Sequence, residues 1–176
     1  MSIFSIPTIE TERLILRPMT VDDAEAVFAW TGDERVAKYM LYTVNPDVNA
    51  AREWLGSLEK LENEYTWGIV RKSDSLLIGA SSIRLHTDDG SWSFGYNIRY
   101  DCWNNGYTTE ATLRMMEYVR RNHNAKHFTA EHAAENEASG RVIEKCGLHY
   151  VRDSEYSSFD GTRTFKSKIY VLNEGE

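Results

Sequence analysis

Cysteine is nearly absent from this 176-residue chain: only Cys102 and Cys146 occur, far apart in the sequence. They are too few for a disulfide framework and lack the short spacing of a zinc knuckle. Proline is just as scarce, with three residues at positions 7, 18 and 46, and no linker-like tract divides the chain. Together with the length, this predicts a single domain over residues 1–176. No stretch approaches the roughly 18 consecutive apolar residues that a membrane-spanning helix needs. The opening Met1-Ser2-Ile3-Phe4-Ser5 lacks the basic flank and apolar core of a secretory leader, so a cytoplasmic protein is expected. Basic residues are the minority, 20 against 27 acidic ones, for a formal net charge of −7. Gripping a phosphate backbone depends on Lys and Arg displacing counterions, so nucleic acid is not an expected partner. A cationic or amine-bearing partner fits the balance better, although a local basic pocket for an anion survives inside an acidic chain.

What is present is ordinary globular composition, 41% hydrophobic and 27% charged. A chain of this size buries enough surface to need no metal or disulfide for its core. Arg13 to Arg17 alternates as a strand that Pro18 stops. Thr20-Val21-Asp22-Asp23 then reads as a helix start, a hydroxyl cap followed by acids in the first turn. Ala24, Val27, Phe28 and Ala29 are that helix's expected buried face, and a short helical piece follows through Val36 to Met40. Asn45-Pro46 reads as the next start, with Ala51, Trp54, Leu55, Leu58 and Leu61 recurring at helical spacing after it. From Tyr65 the period becomes two. Three strands, Tyr65–Val70, Leu76–Leu85 and Ser91–Tyr100, form a predicted antiparallel meander. A helix from Tyr107, a strand Lys126–Ala133, a helix Asn136–Cys146 and a hairpin of Leu148–Ser157 with Thr162–Leu172 complete the order. A meander, a βαβ crossover and a hairpin imply a mixed sheet with helices on both faces.

Chemistry concentrates in two segments. In the first, Tyr96-Asn97-Ile98-Arg99-Tyr100-Asp101-Cys102-Trp103-Asn104-Asn105-Gly106-Tyr107-Thr108-Thr109-Glu110-Ala111, a strand runs through a glycine-containing turn into a helix. Such a junction leaves backbone N–H groups unpaired at the positive end of a helix dipole, which suits a phosphate or pyrophosphate; a plain strand-to-helix loop reads the same way. It is neither a dinucleotide fingerprint nor a Walker loop, because the required glycines and lysine are missing. The second segment is Glu131-His132-Ala133-Ala134-Glu135-Asn136-Glu137-Ala138-Ser139-Gly140-Arg141-Val142-Ile143-Glu144-Lys145-Cys146-Gly147.

Together the two segments resemble the GNAT superfamily of acetyl-CoA-dependent N-acetyltransferases, and most nearly its Rim-like branch of ribosomal-protein acetyltransferases. Trp103-x-x-Gly106-Tyr107-x-Thr109-Glu110-Ala111 is similar to that branch's pyrophosphate loop, and Glu135-Asn136-x-x-Ser139-x-x-x-x-Glu144-Lys145-x-Gly147 to its C-terminal signature. Thr11-Glu12-Arg13-Leu14-Ile15-Leu16-Arg17 with Asp22-Asp23-Ala24 is similar to its N-terminal strand and helix. The resemblance spans nearly the whole chain and implies an α/β (mixed α+β) fold of GNAT type. Its central sheet would be mostly antiparallel, with helices on both faces and two splayed central strands.

The resemblance also assigns residues. The backbone of Tyr96, Asn97 and Ile98 would pair with the pantetheine arm of acetyl-CoA (coenzyme A), used as cosubstrate with no metal. The backbone N–H groups of Asn104, Asn105, Gly106, Tyr107, Thr108 and Thr109 would hold its pyrophosphate. Trp103 stands where the wider family has Arg or Gln, and Thr108 where it has a small residue. Asn136 would hydrogen-bond the arm, with Arg141 near the cofactor. Glu131, five residues before Asn136, occupies the place of the branch's glutamate base; an ordinary edge carboxylate is the alternative. The tyrosine that serves many members as general acid falls at Ile143, which cannot donate a proton. Ser139 supplies a hydroxyl there, unless it merely caps the helix and water protonates the thiolate. The missing tyrosine also leaves room for a coenzyme A-binding sensor without turnover.

His132 alternates away from Glu131 and reads as structural, and His86, His123, His127 and His149 lack ligand spacing. Trp67, Trp92 and Phe94 read mainly as packing, some of them lining an acceptor pocket with Tyr39, Met40 and Tyr42. The acceptor is expected to be a protein N-terminus or a small amine, with no nucleic acid and no membrane involved. The C-terminal hairpin is a surface through which a homodimer could form.

Overall fold

The computed structural model describes residues 5–175; the first four residues of the leader reading and Glu176 lie outside them. Among the described residues eight strands form one sheet that follows chain order except at its end, where the eighth strand lies between the sixth and the seventh. A two-residue strand β1 (Ile9–Glu10), too short to show a period, pairs with β2 (Leu14–Arg17). The meander is β3 (Glu64–Arg71), β4 (Leu76–Leu85) and β5 (Trp92–Ile98). β6 (His127–Ala133) follows, and β7 (His149–Ser157) and β8 (Thr164–Asn173) make the hairpin. All neighbours are antiparallel except β5 and β6.

The Thr20 cap is present in full. Its hydroxyl and the Asp23 carboxylate form a reciprocal capping box over a 3₁₀ turn that leads into α1 (Ala24–Thr31). The buried face of α1 differs from the expected one: Trp30 is fully buried while Ala29 is exposed and Phe28 half-buried, because the core sits over the Ala24–Val27–Trp30 stripe. A single turn, α2 (Glu34–Ala37), follows. α3 (Val48–Ser57) starts later than Asn45-Pro46 implied, because Asp47 is the cap and accepts from the Ala50 amide at 3.0 Å. β5 ends at Ile98 rather than Tyr100, where a 3₁₀ turn begins. The remaining helices are α4 (Tyr107–His123) and α5 (Glu137–Lys145).

Residues of β2, β3 and β4 feed two cores, one on each face of the sheet. Leu14 and Leu16 of β2, with Trp67, Ile78, Trp92, Phe94 and Phe128, pack under α4 and α5. Ile15, Val70, Leu77 and Ala80 pack under α1 and α3, so helices cover both faces. Trp67, Trp92 and Phe94 are thus core residues on the α4 side. A β-bulge where Ile69 and Val70 face Leu77 and Gly79 inserts Ile78 as an unpaired residue. That one-residue slip moves later β4 side chains to the other face. Beside it, Gly79 pairs with Ile98, and a Cβ there would fall 2.4 Å from the Asn97 carbonyl oxygen, so the close approach of β5 requires glycine.

The parallel pair is the feature that shapes the site. β5 and β6 pair only at Trp92 with Phe128 and Ser93 with Thr129. β5 continues to Ile98 and β6 to Ala133, so beyond this point the strands diverge, leaving the β6-facing edge of β5 without ladder partners.

Candidate active site

The end of β5 runs through the 3₁₀ turn Tyr100–Cys102 into the N-terminus of α4. Two left-handed residues shape the bend, Asn104 (φ 62°) and Gly106 (φ 77°), the latter at the cap position without a side-chain cap. Among the described residues, no backbone carbonyl accepts from the amides of 104–109. Six consecutive N–H groups without a backbone acceptor therefore precede and open a 17-residue helix, at the positive end of its dipole. Asn105 braces the turn through its side-chain amide, which donates to the Cys102 and Trp103 carbonyls at 3.0 and 2.9 Å. The Trp103 indole donates to the Ile98 carbonyl at 3.0 Å, tying the loop to the last residue of β5. Thr108 is half-buried, and its carbonyl accepts from the Thr112 hydroxyl at 2.8 Å.

Glu110 locks this loop to the N-terminal strand. Its carboxylate accepts from the Thr11 hydroxyl at 2.5 Å, the Arg13 amide at 2.9 Å and the Arg13 Nε at 2.7 Å. Arg13 also donates to the Asn105 carbonyl at 2.9 Å and stacks over the Tyr107 ring. Burial alone would raise the Glu110 carboxyl, but the hydrogen bonds from Thr11 and Arg13 outweigh it and hold it below the usual carboxylate range. Thr11, Arg13 and Glu110 all stand in motifs legible in the sequence. Their pairing is a tertiary fact that no local pattern states.

A cleft of about 330 Å³ lies against this loop. It brings together every residue expected near the cofactor: Tyr96, Asn97 and Ile98 on the free edge of β5, Trp103 to Thr109, and Asn136 and Arg141 on α5. Ser139 lines it too, with Val36 and Met40 at its rim from the opposite helical layer. Asn136 is the cap of α5, and its side-chain oxygen accepts from the Ser139 amide at 3.4 Å. The capping job therefore belongs to Asn136. The Ser139 hydroxyl instead pairs with the Tyr96 phenol at 2.8 Å, and Tyr96 also donates to the Ser139 carbonyl at 3.2 Å. The Tyr96 side chain was not singled out from sequence; only its main chain was. Burial raises its phenol well above the ordinary value despite the hydrogen bond to Ser139, so it stays protonated at neutral pH. Ile143 is buried in the core and does not line this cleft.

Glu131 does not line this cleft. It sits on β6, across the divergence from β5, is exposed, and accepts from the Ser167 hydroxyl at 2.5 Å. Phe128 and Ala130 turn toward the α4 core, so Glu131 alternates to the other face. Asn97 of β5 shares that face and donates to the Tyr42 phenol at 3.2 Å. Burial pushes the Tyr42 hydroxyl up to about 12, a hydrogen bond from Asn97 working weakly the other way. His132 is buried, its ring hydrogen-bonded to the Ala133 carbonyl and the Tyr170 phenol; a Cβ at Gly140 would lie 2.9 Å from its Nε2, so it packs α5 onto β6. Among the described residues, no three or more His, Cys, Asp or Glu side chains cluster to hold a metal, and no helix is long and apolar enough to cross a membrane.

The chain is similar to known proteins in both sequence and shape. The family described as "Acetyltransferase (GNAT) domain" matches residues 13–149. An uncharacterized N-acetyltransferase of Bacillus subtilis, YoaA, is 30% identical over 81% of this chain and 82% of its own length. A GNAT-family acetyltransferase from Bacillus anthracis superposes with a TM-score of 0.84 at 22% identity, covering 97% of this chain and 100% of that one. RimL, a ribosomal L7/L12 α-N-protein acetyltransferase in complex with coenzyme A, superposes with a TM-score of 0.81 at 13% identity over 97% of this chain and 100% of that one. At these identities the structures share the fold. With a matched segment that contains both the amide-lined loop and α5, the chain belongs to the GNAT acetyltransferase family and is an N-acetyltransferase.

Proposed function

We propose that the whole chain works as one domain that binds acetyl-CoA in the cleft bounded by the end of β5, the N-terminus of α4 and α5, and moves its acetyl group to a primary amine. The amine is a protein N-terminus or a small molecule, as in the Rim-like branch. The observation that carries this reading is the pairing of six unpartnered amides at 104–109 with an unladdered β5 edge that starts one loop away. The first fits a diphosphate; the second fits an amide-bearing arm laid down as an extra strand. That RimL superposes on the fold and is described as a coenzyme A complex supports the same reading.

Acetyl-CoA would supply the activated acyl group; the chain's own residues supply alignment and proton handling. Amides at the α4 N-terminus hold the diphosphate, Tyr96 to Ile98 pair with the arm, and Asn136 and Arg141 line its other wall. Glu131 takes the proton from the incoming ammonium, directly or through one water. Its exposure on the far side of the divergence suits a group that meets the acceptor rather than the cofactor. Ser139 offers its hydroxyl to the departing thiolate, held in place by Tyr96 at 2.8 Å. Ile143 lies in the core, whereas both hydroxyls of this pair line the cleft, which supports assigning them the proton for the thiolate.

The test is release of free thiol from acetyl-CoA in the presence of a panel of N-terminal peptides and small primary amines. Amine-dependent thiol release supports the reading. Coenzyme A binding without turnover across the panel would favour a sensor, and absence of binding would remove both.

A further inference from the structure

The loop between α2 and α3 forms the rim of the cleft opposite α5, with Met40 lining the cleft and Tyr42 joined to Asn97 of β5. It has no regular structure of its own over residues 41–45. What fixes it comes from the other end of the chain. Arg163, the loop residue just before β8, donates from Nη1 to the Ala37 and Lys38 carbonyls at 3.1 and 3.2 Å, and from Nη2 to the Met40 and Tyr42 carbonyls at 3.0 and 2.7 Å. Two further bonds run between the same segments. The Phe159 amide donates to the Leu41 carbonyl at 2.8 Å, and the Tyr156 phenol to the Tyr39 carbonyl at 2.6 Å.

A guanidinium is planar and presents its donors in a rigid fork, so four carbonyls gathered by one side chain define the loop's path closely. The Arg163 Nε is buried with no partner, a cost the four terminal bonds offset. The same hairpin also carries the partner of Glu131: four residues along the chain from Arg163, the Ser167 hydroxyl of β8 donates to that carboxylate.

We propose that Arg163 is a positioning residue for acceptor recognition: it latches the α2–α3 loop to the β7–β8 hairpin and so sets the wall against which the acceptor is aligned with Glu131. This rests on the acetyl-transfer reading of the cleft. Arg163 itself bonds neither the phosphate-binding amides nor the β5 edge. It reaches the cleft only through Met40 and through Tyr42, which Asn97 bonds by its side chain and not by the main chain that would pair with the arm, so the main effect falls on the acceptor side. An acceptor that extends past its amine meets this wall, whereas a minimal nucleophile does not.

The test compares wild type with Arg163→Ala and Arg163→Lys by hydrogen exchange, by coenzyme A calorimetry, and by thiol release with two probes, a hexapeptide with a free N-terminus and hydroxylamine. In Arg163→Ala, exchange at the Met40 and Phe159 amides rises about tenfold or more while peptides from α4 and β6 are unchanged. Coenzyme A affinity stays within about threefold, and peptide-dependent kcat/KM falls about thirtyfold, mainly through KM, with hydroxylamine-dependent release within about twofold. Arg163→Lys, whose compact ammonium can reach only some of the carbonyls, lies between. Unchanged exchange at Met40 and Phe159 overturns the latch, and equal losses with both probes overturn its acceptor-side role. If wild type uses neither probe, it is the acetyl-transfer reading that fails with them, and the exchange comparison still decides the latch.

Discussion

Replacing Glu110 separates the cost of losing a buried lock from the cost of losing a ligand contact. In the intact protein its carboxylate, one-fifth exposed, is shared by the Thr11 hydroxyl, the Arg13 amide and the Arg13 guanidinium. Hydrogen bonds to a charged acceptor contribute about 1.5 kcal/mol each at the lower end of their range. The guanidinium is two-fifths exposed, so its ion pair is discounted to about 1 kcal/mol or less. Glu110→Ala should therefore cost about 3–4 kcal/mol, and Glu110→Gln, which keeps the shape and loses the charge, about 1–2 kcal/mol. At this chain length that is a drop in Tm of roughly 6–16 °C for the alanine variant.

The sign with pH follows from the depressed carboxyl. A group whose folded-state pKa is lowered stabilises above its unfolded-state value and loses that contribution as pH falls through the folded-state one. The wild-type advantage over Glu110→Gln is therefore complete at neutral pH and shrinks below the ordinary carboxylate value of 4.5. Thermal melts at pH 7.5 and across the acid range measure both. Because Arg13 also braces the Asn105 carbonyl, coenzyme A affinity in Glu110→Ala should fall about tenfold, measurable by calorimetry. A loss under about 0.5 kcal/mol at neutral pH, or a wild-type advantage that grows on acidification, would refute the reasoning.

Three further outcomes are expected. Glu131→Gln should slow amine-dependent thiol release by about a hundredfold near neutral pH, while coenzyme A affinity stays within about twofold; unchanged turnover from pH 6 to 9 would remove Glu131 from the mechanism. Ser139→Ala should lower kcat by about tenfold with little change in coenzyme A affinity, and a Tyr96→Phe variant should reproduce part of that loss in a steady-state assay. Gly79→Ala places a Cβ 2.4 Å from the Asn97 carbonyl oxygen, so β5 must shift. A loss of about 2 kcal/mol or more in denaturant titration is expected, and a neutral result would mean that the strand yields without cost.

Much of the fold was legible because each element carries its own period. The ten residues of β4 and the start of α4 at Tyr107 fall where alternation and the glycine turn put them. Local chemistry misled where two signals competed. Pro46 suits a first helical turn, but Asp47 beside it offers a carboxylate for the Ala50 amide and takes the cap. Trp30 was missed because its burial depends on where α1 lands on the sheet. The residues gathered at the cleft share two contiguous motifs, so their neighbourhood was readable. The contacts that organise it were not. Thr11 with Glu110, Tyr96 with Ser139, and Arg163 with the loop at 37–42 each join distant segments, and no periodicity encodes such a partner.

The most direct measurement of the central claim is a crystal of this protein soaked in coenzyme A. The account predicts diphosphate density within hydrogen-bond distance of the main-chain amides of 104–109, about 2.7–3.2 Å, and the pantetheine arm lying along Tyr96 to Ile98 where β5 and β6 part. Density that settles elsewhere, or an arm that leaves the β5 edge bare, would contradict it.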